Sequence, residues 1–260
     1  MKHLALCGAL AALLAALLAG CGAKTAASAR PAGHRELKST PPDSMHATAA
    51  ITEQYTLEKV VQAENGGKVR LNIHLPRLEC DSADAARINA EFARYYENDV
   101  QEYVDRPEAA DPAVWDFSIE MNWEASWYGD CVSLVVSSSY GGTDAPFYDG
   151  WCFDFASGNQ LTVTQMLQRM GADPVALEEA LYRDVKRRDE LDRQAAIERG
   201  LLPTGSLKEG NTAWWTSLDE LPLSFDGKGN ISFVVHRFSA VREQYVNDAP
   251  TIPLDVQPLP

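Results

Sequence analysis

Two carboxylates on one predicted strand are the residues best placed for acid–base chemistry. Glu120 and Glu124 belong to a segment in which polar residues alternate with apolar ones, so both point to the polar face. Side chains on one face of a strand recur about every 7 Å, which is near the spacing of the carboxyl groups in glycosidases. The pair would suit a hydrolase of cell-wall glycan. The alternative is two ordinary acids on a solvated sheet face.

The histidines and short motifs provide no second catalytic constellation. His34 and His46 precede the predicted fold, His74 lies on the polar side of a strand, and His236 lies near a strand end. None has another histidine four positions away, and the sequence contains no His-Glu-x-x-His, Gly-x-Ser-x-Gly or phosphate-loop motif. The sequence therefore predicts a non-enzymatic protein without a metal or another cofactor.

A loop rich in Gly and Asp offers the one candidate cation site. Asp144 and Asp149 could bind a cation through their carboxylates. Turn formation explains the same residues, because Gly and Asp are typical of turns. We favour the turn.

Three cysteines lie in the body of the chain, at positions 80, 131 and 152. Outside the cytoplasm a disulfide is permitted, and Cys131 with Cys152 is the favoured pair because the two fall on neighbouring predicted strands. The alternative is three small buried thiols. The spacing matches no zinc-ligand pattern.

The N-terminus has the features of an export signal. Lys2 precedes an apolar run over residues 4–20, which is short for a membrane span. The run ends in Leu18-Ala19-Gly20-Cys21, which resembles the lipobox of bacterial lipoproteins. The resemblance implies cleavage before Cys21, acylation of its thiol by chains such as palmitate, and anchoring at the extracytoplasmic face of the cell membrane. The alternative is an ordinary signal peptide and a free Cys21 thiol.

Composition predicts a flexible tether, and net charge excludes one class of partner. Residues 21–50 are rich in Ala, Ser, Thr, Pro and Gly, which predicts a flexible tether before a fold that begins near residue 51. The chain has a net charge of −14, and residues 1–20 hold one Lys and no acid, so the mature chain would carry −15. A surface this acidic repels nucleic acid.

Periodicity predicts an α+β fold with a mainly antiparallel sheet covered by two helices, organised as two small packed subdomains over residues 51–127 and 128–260. The helices are expected over residues 81–103, with Asp81 or Ser82 as the cap, and from Asp173 to Gly200. A shorter helix, capped by Thr164, would reach residue 170. The strands are expected at 69–75, 115–127, 132–140, 147–155, 221–225, 231–235 and 251–256.

Residues 131–167 carry a resemblance to a known extracytoplasmic domain family of unknown function. Its pattern is a strand, Tyr with Gly-Gly, an aromatic strand, a Phe-Asp-x-x-(Ser/Thr)-Gly turn, and Leu-Thr before a helix. The matching positions are Tyr140, Gly141, Gly142, Phe153, Asp154, Gly158, Leu161 and Thr162. The family includes the outer domain of RsiV-type anti-sigma factors, which bind lysozyme, and the accessory domain of PdaC-type peptidoglycan deacetylases.

The resemblance covers the outer module alone. Family members commonly continue Gly-Gly with Ala-His, whereas this chain has Thr143-Asp144. The catalytic domain of the deacetylases and the sigma-binding segment of the anti-sigma factors have no counterpart in this sequence. The resemblance therefore implies a binding module for a wall glycan, such as peptidoglycan, or for a secreted protein such as lysozyme.

The predicted contact surface combines the family motif with nearby aromatic residues. Its candidate binding residues are Tyr140, Gly141, Gly142, Asp144, Tyr148 and Trp151. A wider supply of aromatic side chains, of which a few are expected to be exposed, consists of Trp127, Tyr128, Phe147, Tyr148, Trp151, Trp214 and Trp215.

Overall fold

The structure, a computed structural model, describes residues 50–62, 67–106, 116–141, 145–203, 215–226, 230–241 and 244–253. The predicted signal peptide, Cys21 and the predicted tether up to residue 49 lie outside these ranges, so the predictions made for them stay predictions. Within the described ranges, no helix is both long enough and apolar enough to cross a membrane.

A β–α–β unit begins the fold. Strand β1 (Ile51–Gln62) pairs antiparallel with β2 (Lys68–Leu78), and β2 pairs parallel with β3 (Asp116–Tyr128). Parallel neighbours need a crossover, and helix α1 (Ala83–Tyr95), a π-helical turn (Tyr96–Val100) and α2 (Gln101–Asp105) lie between these two strands. The predicted helix at 81–103 is confirmed, with Ser82 as its cap.

The predicted meander completes a six-stranded sheet. Strands β3, β4 (Cys131–Tyr140), β5 (Phe147–Asp154) and β6 (Asn159–Leu161) pair antiparallel in sequence order, giving the order β1-β2-β3-β4-β5-β6. The α+β class with a mainly antiparallel sheet is confirmed. Because β3 and β4 pair along ten positions, one sheet runs through the subdomain boundary predicted at residue 127.

Helix α1 covers one face of this sheet. Its apolar stripe includes Ile88 and Phe92, which are fully buried against strand residues such as Ile73 and Met121. The side chain of Asn89 fixes the helix to the end of β2, since it accepts from the Leu78 N–H at 2.8 Å and donates to the Leu78 carbonyl at 3.0 Å. The amphipathic pattern therefore placed this face of the core correctly.

A second layer packs on the other face, at the β4–β5 side. It contains helices α3 (Val163–Arg169) and α4 (Pro174–Glu198). Its strands are β7 (Leu223–Phe225), β8 (Asn230–Phe233), β9 (Val235–Ser239), β10 (Gln244–Asp248) and β11 (Thr251–Pro253). They form a three-stranded sheet in the order β11-β8-β7 and a β9–β10 hairpin. Strand β4 is consequently buried on both faces along most of its length.

Three details of the second layer differ from the sequence predictions. The cap of α3 is Thr162, which forms a capping box with Gln165, and the predicted cap Thr164 lies inside the helix. Asp173 caps α4 as expected. The sequence predicts an apolar stripe of Val175, Leu177, Leu181 and Val185 on this helix, but Val175 is 65% exposed because its side chain lies off the stripe formed by the other three. The β9–β10 hairpin was not predicted.

The sequence left a Cys131–Cys152 disulfide and buried thiols as alternatives, and in the structure both residues are buried free thiols. The two lie on neighbouring strands, but Cys131 is opposite Asp154 and Cys152 is opposite Ser133. Diagonal partners of this kind have Cα atoms about 7–8 Å apart, beyond the usual limit for a disulfide of about 7 Å. Burial also raises the pKa of the Cys152 thiol to about 12, so little reactive thiolate is present.

Candidate functional site

A cleft lies where the first half of β5 meets the second layer. Its volume is about 340 Å³, which is within the range of small-molecule sites. Three aromatic side chains, Phe147, Tyr148 and Trp215, contribute to its wall. The other lining residues are Asp149, Glu220, Leu221, Pro222, Val234, His236 and Asn247. We call this set of ten residues the aromatic cleft.

The floor of the aromatic cleft depends on a close backbone approach. A Cβ atom on Gly150 would lie 2.8 Å from the Pro222 Cα, so only glycine lets this segment pack directly on β5. The Pro222 carbonyl then accepts from the Val234 N–H at 3.0 Å, which joins the floor to the segment before β9. The position of Glu220 and Leu221 in the cleft therefore depends on Gly150.

Replacing Gly150 by Ala is expected to push the Pro222 segment away from β5. Overpacking of this kind costs about 2 kcal/mol of unfolding free energy, and the Val234 amide should exchange its hydrogen faster because its acceptor has moved. Urea unfolding and hydrogen exchange would measure the two effects. Gly171→Ala is a control for backbone strain, because Gly171 has a φ of +75° and Ala costs stability there too, but its new Cβ meets no atom within 4 Å. In that variant Val234 exchange should rise no more than that of the other core amides. Unchanged Val234 exchange in Gly150→Ala would contradict this account of the floor.

Helix α4 holds one aromatic wall in place. The Trp215 Nε1–H donates to the Glu178 Oε1 at 3.3 Å, and the Trp215 ring meets Tyr182 edge to face with centroids 6.4 Å apart. Tyr182 is itself about half exposed, at 49%. The indole is therefore oriented by the helix while it lines the cleft.

The opposite wall is formed by β5. Phe147 is 52% exposed and meets Tyr140 edge to face with centroids 6.3 Å apart. Tyr148 is half-buried, and burial together with the Glu124 charge raises the pKa of its phenol. Tyr148 thus remains a neutral hydroxyl group that can donate and accept hydrogen bonds.

Polar side chains link the cleft to the rest of the fold. Asp149 accepts a hydrogen bond from the Tyr95 hydroxyl at 2.6 Å, which connects the cleft to helix α1. The Asn247 Nδ2 donates to the Pro146 carbonyl, so strand β10 is tied to the residue before β5. The cleft is therefore built from distant segments whose positions are fixed by named contacts.

Comparisons with known proteins show a distant similarity to solved structures. No protein-family model matches this chain, and no curated protein matches it. A solved structure, a DUF3298 family protein from Pseudomonas aeruginosa PAO1, is similar with a TM-score of 0.36 and 17% identity. The match covers 71% of this chain and 81% of that chain.

Two of the predicted binding residues, Tyr140 and Gly141, have structural roles. The Tyr140 hydroxyl donates to the carboxylate of Asp99, in the π-helical turn after α1. Burial raises the pKa of Asp99, and the hydrogen bond from Tyr140 opposes the rise. The Gly141 N–H donates to the Ser118 carbonyl at 2.6 Å, and a Cβ atom there would lie 2.9 Å from the Ser118 nitrogen. Gly141 thus allows the end of β4 to approach β3 closely.

The remaining predictions divide into three groups. Tyr148 lines the aromatic cleft, and its binding role stays a prediction. Gly142 and Asp144 lie outside the described residues, as does Trp214. Trp151 is only 8% exposed and packs in the core beneath α1, a position that does not support its predicted binding role.

The catalytic alternative finds no supporting geometry, and the cation alternative at Asp144 and Asp149 stays a prediction because Asp144 lies outside the described residues. Glu120 and Glu124 share a face of β3, but they are four positions apart, and Asn122 lies between them on that face. Four strand residues span about 13 Å, which exceeds the 6.5–9.5 Å or so between the carboxyl groups of inverting glycosidases. Among the described residues, no three His, Cys, Asp or Glu side chains are grouped so that they could hold a metal ion.

Sequence reasoning missed most of the cleft. Glu220, Pro222, His236 and Asn247 belong to short segments with no motif or periodicity that points to Phe147. Trp215 was included among the aromatic residues, but its proximity to β5 has no local signal in the sequence. The cleft arises from contacts between segments about 70 to 100 positions apart.

Proposed function

We propose that this chain is a lipid-anchored extracytoplasmic protein that binds cell-wall glycan, without turnover, in the aromatic cleft. The observation that carries the proposal is the presence of Phe147, Tyr148 and Trp215 around one cavity of about 340 Å³. Carboxylate, amide and imidazole groups stand among these rings. This combination is suited to a ligand with both apolar and polar faces.

A sugar ring is a ligand of this kind. One face of the ring presents C–H groups, which pack against aromatic side chains, and its rim presents hydroxyl groups that need hydrogen-bond partners. The indole of Trp215 is held by Glu178 and Tyr182. A ring fixed in this way loses little conformational freedom on binding, which favours affinity.

The proposed location follows from the lipobox-like sequence that ends at Cys21. A diacylated Cys21 would hold the domain at a membrane, and the tether of residues 21–50 would let it reach the wall. A glycan in the envelope would then be within range of the cleft. Mass spectrometry of the mature protein tests this part, because the proposal requires an acylated N-terminal Cys21.

Titration calorimetry of the full chain in detergent, with soluble wall-glycan fragments, tests the binding function. Trp215→Ala and Tyr148→Ala should each lower the affinity at least about tenfold, as expected for aromatic residues at the centre of a contact. Tyr128→Ala is the matched control, because Tyr128 is also half-buried but lies at the opposite end of the sheet. Its affinity should equal that of the unmodified chain.

Two outcomes would overturn the proposal. One is the absence of binding by the unmodified chain. The other is equal binding by the Trp215→Ala and Tyr128→Ala variants, provided that circular dichroism shows both to be folded. Either result would leave the aromatic cleft without a glycan ligand.

A basic secreted protein such as lysozyme is the second candidate ligand. It is favoured by the net charge of −15 on the mature chain, since an acidic surface attracts a basic protein over a distance. Binding of this kind should weaken steeply with salt. It should also be indifferent to Trp215→Ala, which separates it from binding in the aromatic cleft.

A further inference from the structure

The first half of strand β5 forms a free edge of the six-stranded sheet. Strand β6 pairs with only the last three residues of β5, so among the described strands the earlier residues have β4 as their one neighbour. The Phe155 N–H donates to the Asp130 carbonyl, which makes this pair, one step beyond the β4–β5 ladder, a hydrogen-bonded one. Such pairs alternate along an antiparallel ladder. The odd-numbered residues of β5 therefore bond to β4, and the N–H and C=O groups of Tyr148 and Gly150 point outward.

The outward groups of Tyr148 and Gly150 are available to a ligand. Gly150 is exposed, and within the part of the chain that the structure describes, no group hydrogen-bonds to these N–H and C=O groups. The outward group that precedes them, the Pro146 carbonyl, accepts from the side-chain amide of Asn247. An amide thus pairs with the first position of this edge, and the next two positions are open beside the aromatic cleft.

Cavities lie on both faces of the sheet next to this edge. Tyr148 lies on the face of the second layer, where the aromatic cleft includes Trp215 and Leu221. Asp149 lies on the opposite face, bonded to Tyr95 of α1. A second cavity of about 290 Å³ follows α1 there, and its lining residues are Glu91, Arg94, Tyr95, Asn98 and Asp99. A ligand along the edge would therefore meet one cavity on each face.

An extended peptide is the ligand that matches this arrangement. Its backbone would pair with the edge as a further antiparallel strand, and its side chains would alternate between the two cavities. Charge favours a basic peptide, because the chain carries −14 and Asp149 is exposed on the α1 side of the edge.

A second copy of this chain fits the edge poorly. If two β5 edges paired antiparallel through both Tyr148 and Gly150, each Tyr148 would lie opposite the Gly150 of the other copy. The two Asp149 side chains would then stand directly opposite each other. Like charges in directly opposite positions are destabilising, so the occupant is a different molecule.

We propose that the free edge of β5 binds an extended, basic peptide segment of a partner protein by strand addition, with apolar side chains in the aromatic cleft and basic side chains beside α1. This site goes beyond the proposed glycan binding and does not depend on it. Because strand addition uses the peptide backbone, binding requires hydrogen-bond donors along one edge of the peptide. Attraction by net charge alone has no such requirement.

The test uses a capped hexapeptide of alternating Leu and Lys and two isomers of it, one N-methylated at each Leu and the other at each Lys. With Leu side chains in the aromatic cleft, the Leu N–H groups face β5 and the Lys N–H groups face solvent. Calorimetry on the full chain should show at least about tenfold weaker binding of the N-methyl-Leu isomer, because it loses its bonds to the Tyr148 and Gly150 carbonyls. The N-methyl-Lys isomer should bind like the unmethylated peptide.

Variants of the chain assign the binding to the edge. Tyr148→Pro removes an outward N–H, and Pro is tolerated on an edge strand where that N–H faces solvent. Tyr148→Ala is its matched control, since it loses the same ring and keeps the N–H. The Pro variant should bind the unmethylated peptide at least about threefold more weakly than the Ala variant. Asp149→Asn should weaken binding more than Glu190→Gln, which alters an exposed acid on α4 outside both cavities.

Three outcomes would overturn the proposal. One is the absence of binding by the unmethylated peptide, and another is equal binding of the two N-methylated isomers. The third is equal binding by Tyr148→Pro and Tyr148→Ala, provided that circular dichroism shows both to be folded. None of these results bears on the glycan, whose binding is measured separately, so the glycan-binding function would stand.

Discussion

Trp151→Ala is expected to lower the free energy of unfolding by about 4 kcal/mol, the usual range for deleting a buried Trp or Phe being about 3–5 kcal/mol. The Trp151 ring meets Phe92 edge to face with centroids 4.9 Å apart, and it meets Tyr95 at 6.4 Å. Its Nε1–H donates to the Glu91 Oε2 at 2.8 Å. Truncation would leave a cavity beneath α1 and remove this hydrogen bond.

Urea unfolding at neutral pH would measure the loss, with two variants for comparison. Trp151→Phe keeps an aromatic ring for Phe92 and should cost about half as much. Tyr148→Ala, three residues earlier on the same strand, removes a half-buried ring and should cost much less stability than Trp151→Ala. If Trp151→Ala were as stable as Tyr148→Ala and yet lost glycan affinity, Trp151 would be a binding residue after all.

The residues of the motif that supports the family resemblance have structural roles in this chain. Phe153 is buried in the core, and Thr162 forms the capping box of α3. Gly158 has a φ of +71°, and a Cβ atom there would lie 3.0 Å from the Ser82 Cβ, so the turn requires glycine. Residues of this type stabilise the local fold and give no information about a ligand, so the glycan proposal depends on the cleft.

Periodicity predicted the elements well where each had one buried face. Ile88 and Phe92 on α1 and the alternation along β3 each point to a single core. Periodicity did not predict burial correctly where the second layer covers polar residues of the sheet. The Ser126 and Ser133 hydroxyls are buried because they bond to the Phe225 N–H and the Leu223 carbonyl. Hydroxyl groups that are hydrogen-bonded can be buried with little loss of free energy. Nothing in the local sequence distinguishes such serines from exposed ones.

The arrangement of the cleft could not be predicted for a related reason. Trp215 and Phe147 are brought together by tertiary contacts such as that between Gly150 and Pro222. A glycine inside a predicted strand does indicate a possible close backbone approach, so Gly150 was the one available signal. Its partner segment is 72 positions away and carries no matching feature.

Asp154→Ala is expected to cost about 3 kcal/mol of unfolding free energy at neutral pH. The carboxylate is only 3% exposed, and it accepts from the Ala156 N–H at 3.0 Å, the Ser157 hydroxyl at 2.6 Å and an Arg169 NH group at 2.5 Å. Hydrogen bonds to a charged group contribute about 1.5–3 kcal/mol each. The cost stays below their sum because the freed Arg169 side chain is 44% exposed and regains water.

The pH dependence distinguishes a loss of charge from a loss of packing. Burial alone would favour the neutral acid, but the hydrogen bonds from Ser157, Arg169 and Ala156 hold the pKa of Asp154 below its ordinary value of 3.8. A lowered folded-state pKa stabilises the fold above the unfolded-state pKa, and this stability is lost as the pH falls through the folded-state value. The difference in unfolding free energy between the unmodified chain and Asp154→Asn should therefore shrink as the pH is lowered below 3.8. Asp130→Asn, an exposed acid in the neighbouring turn, should show almost no difference at any pH. A constant Asp154→Asn difference down to pH 2 would indicate that the carboxylate charge contributes nothing.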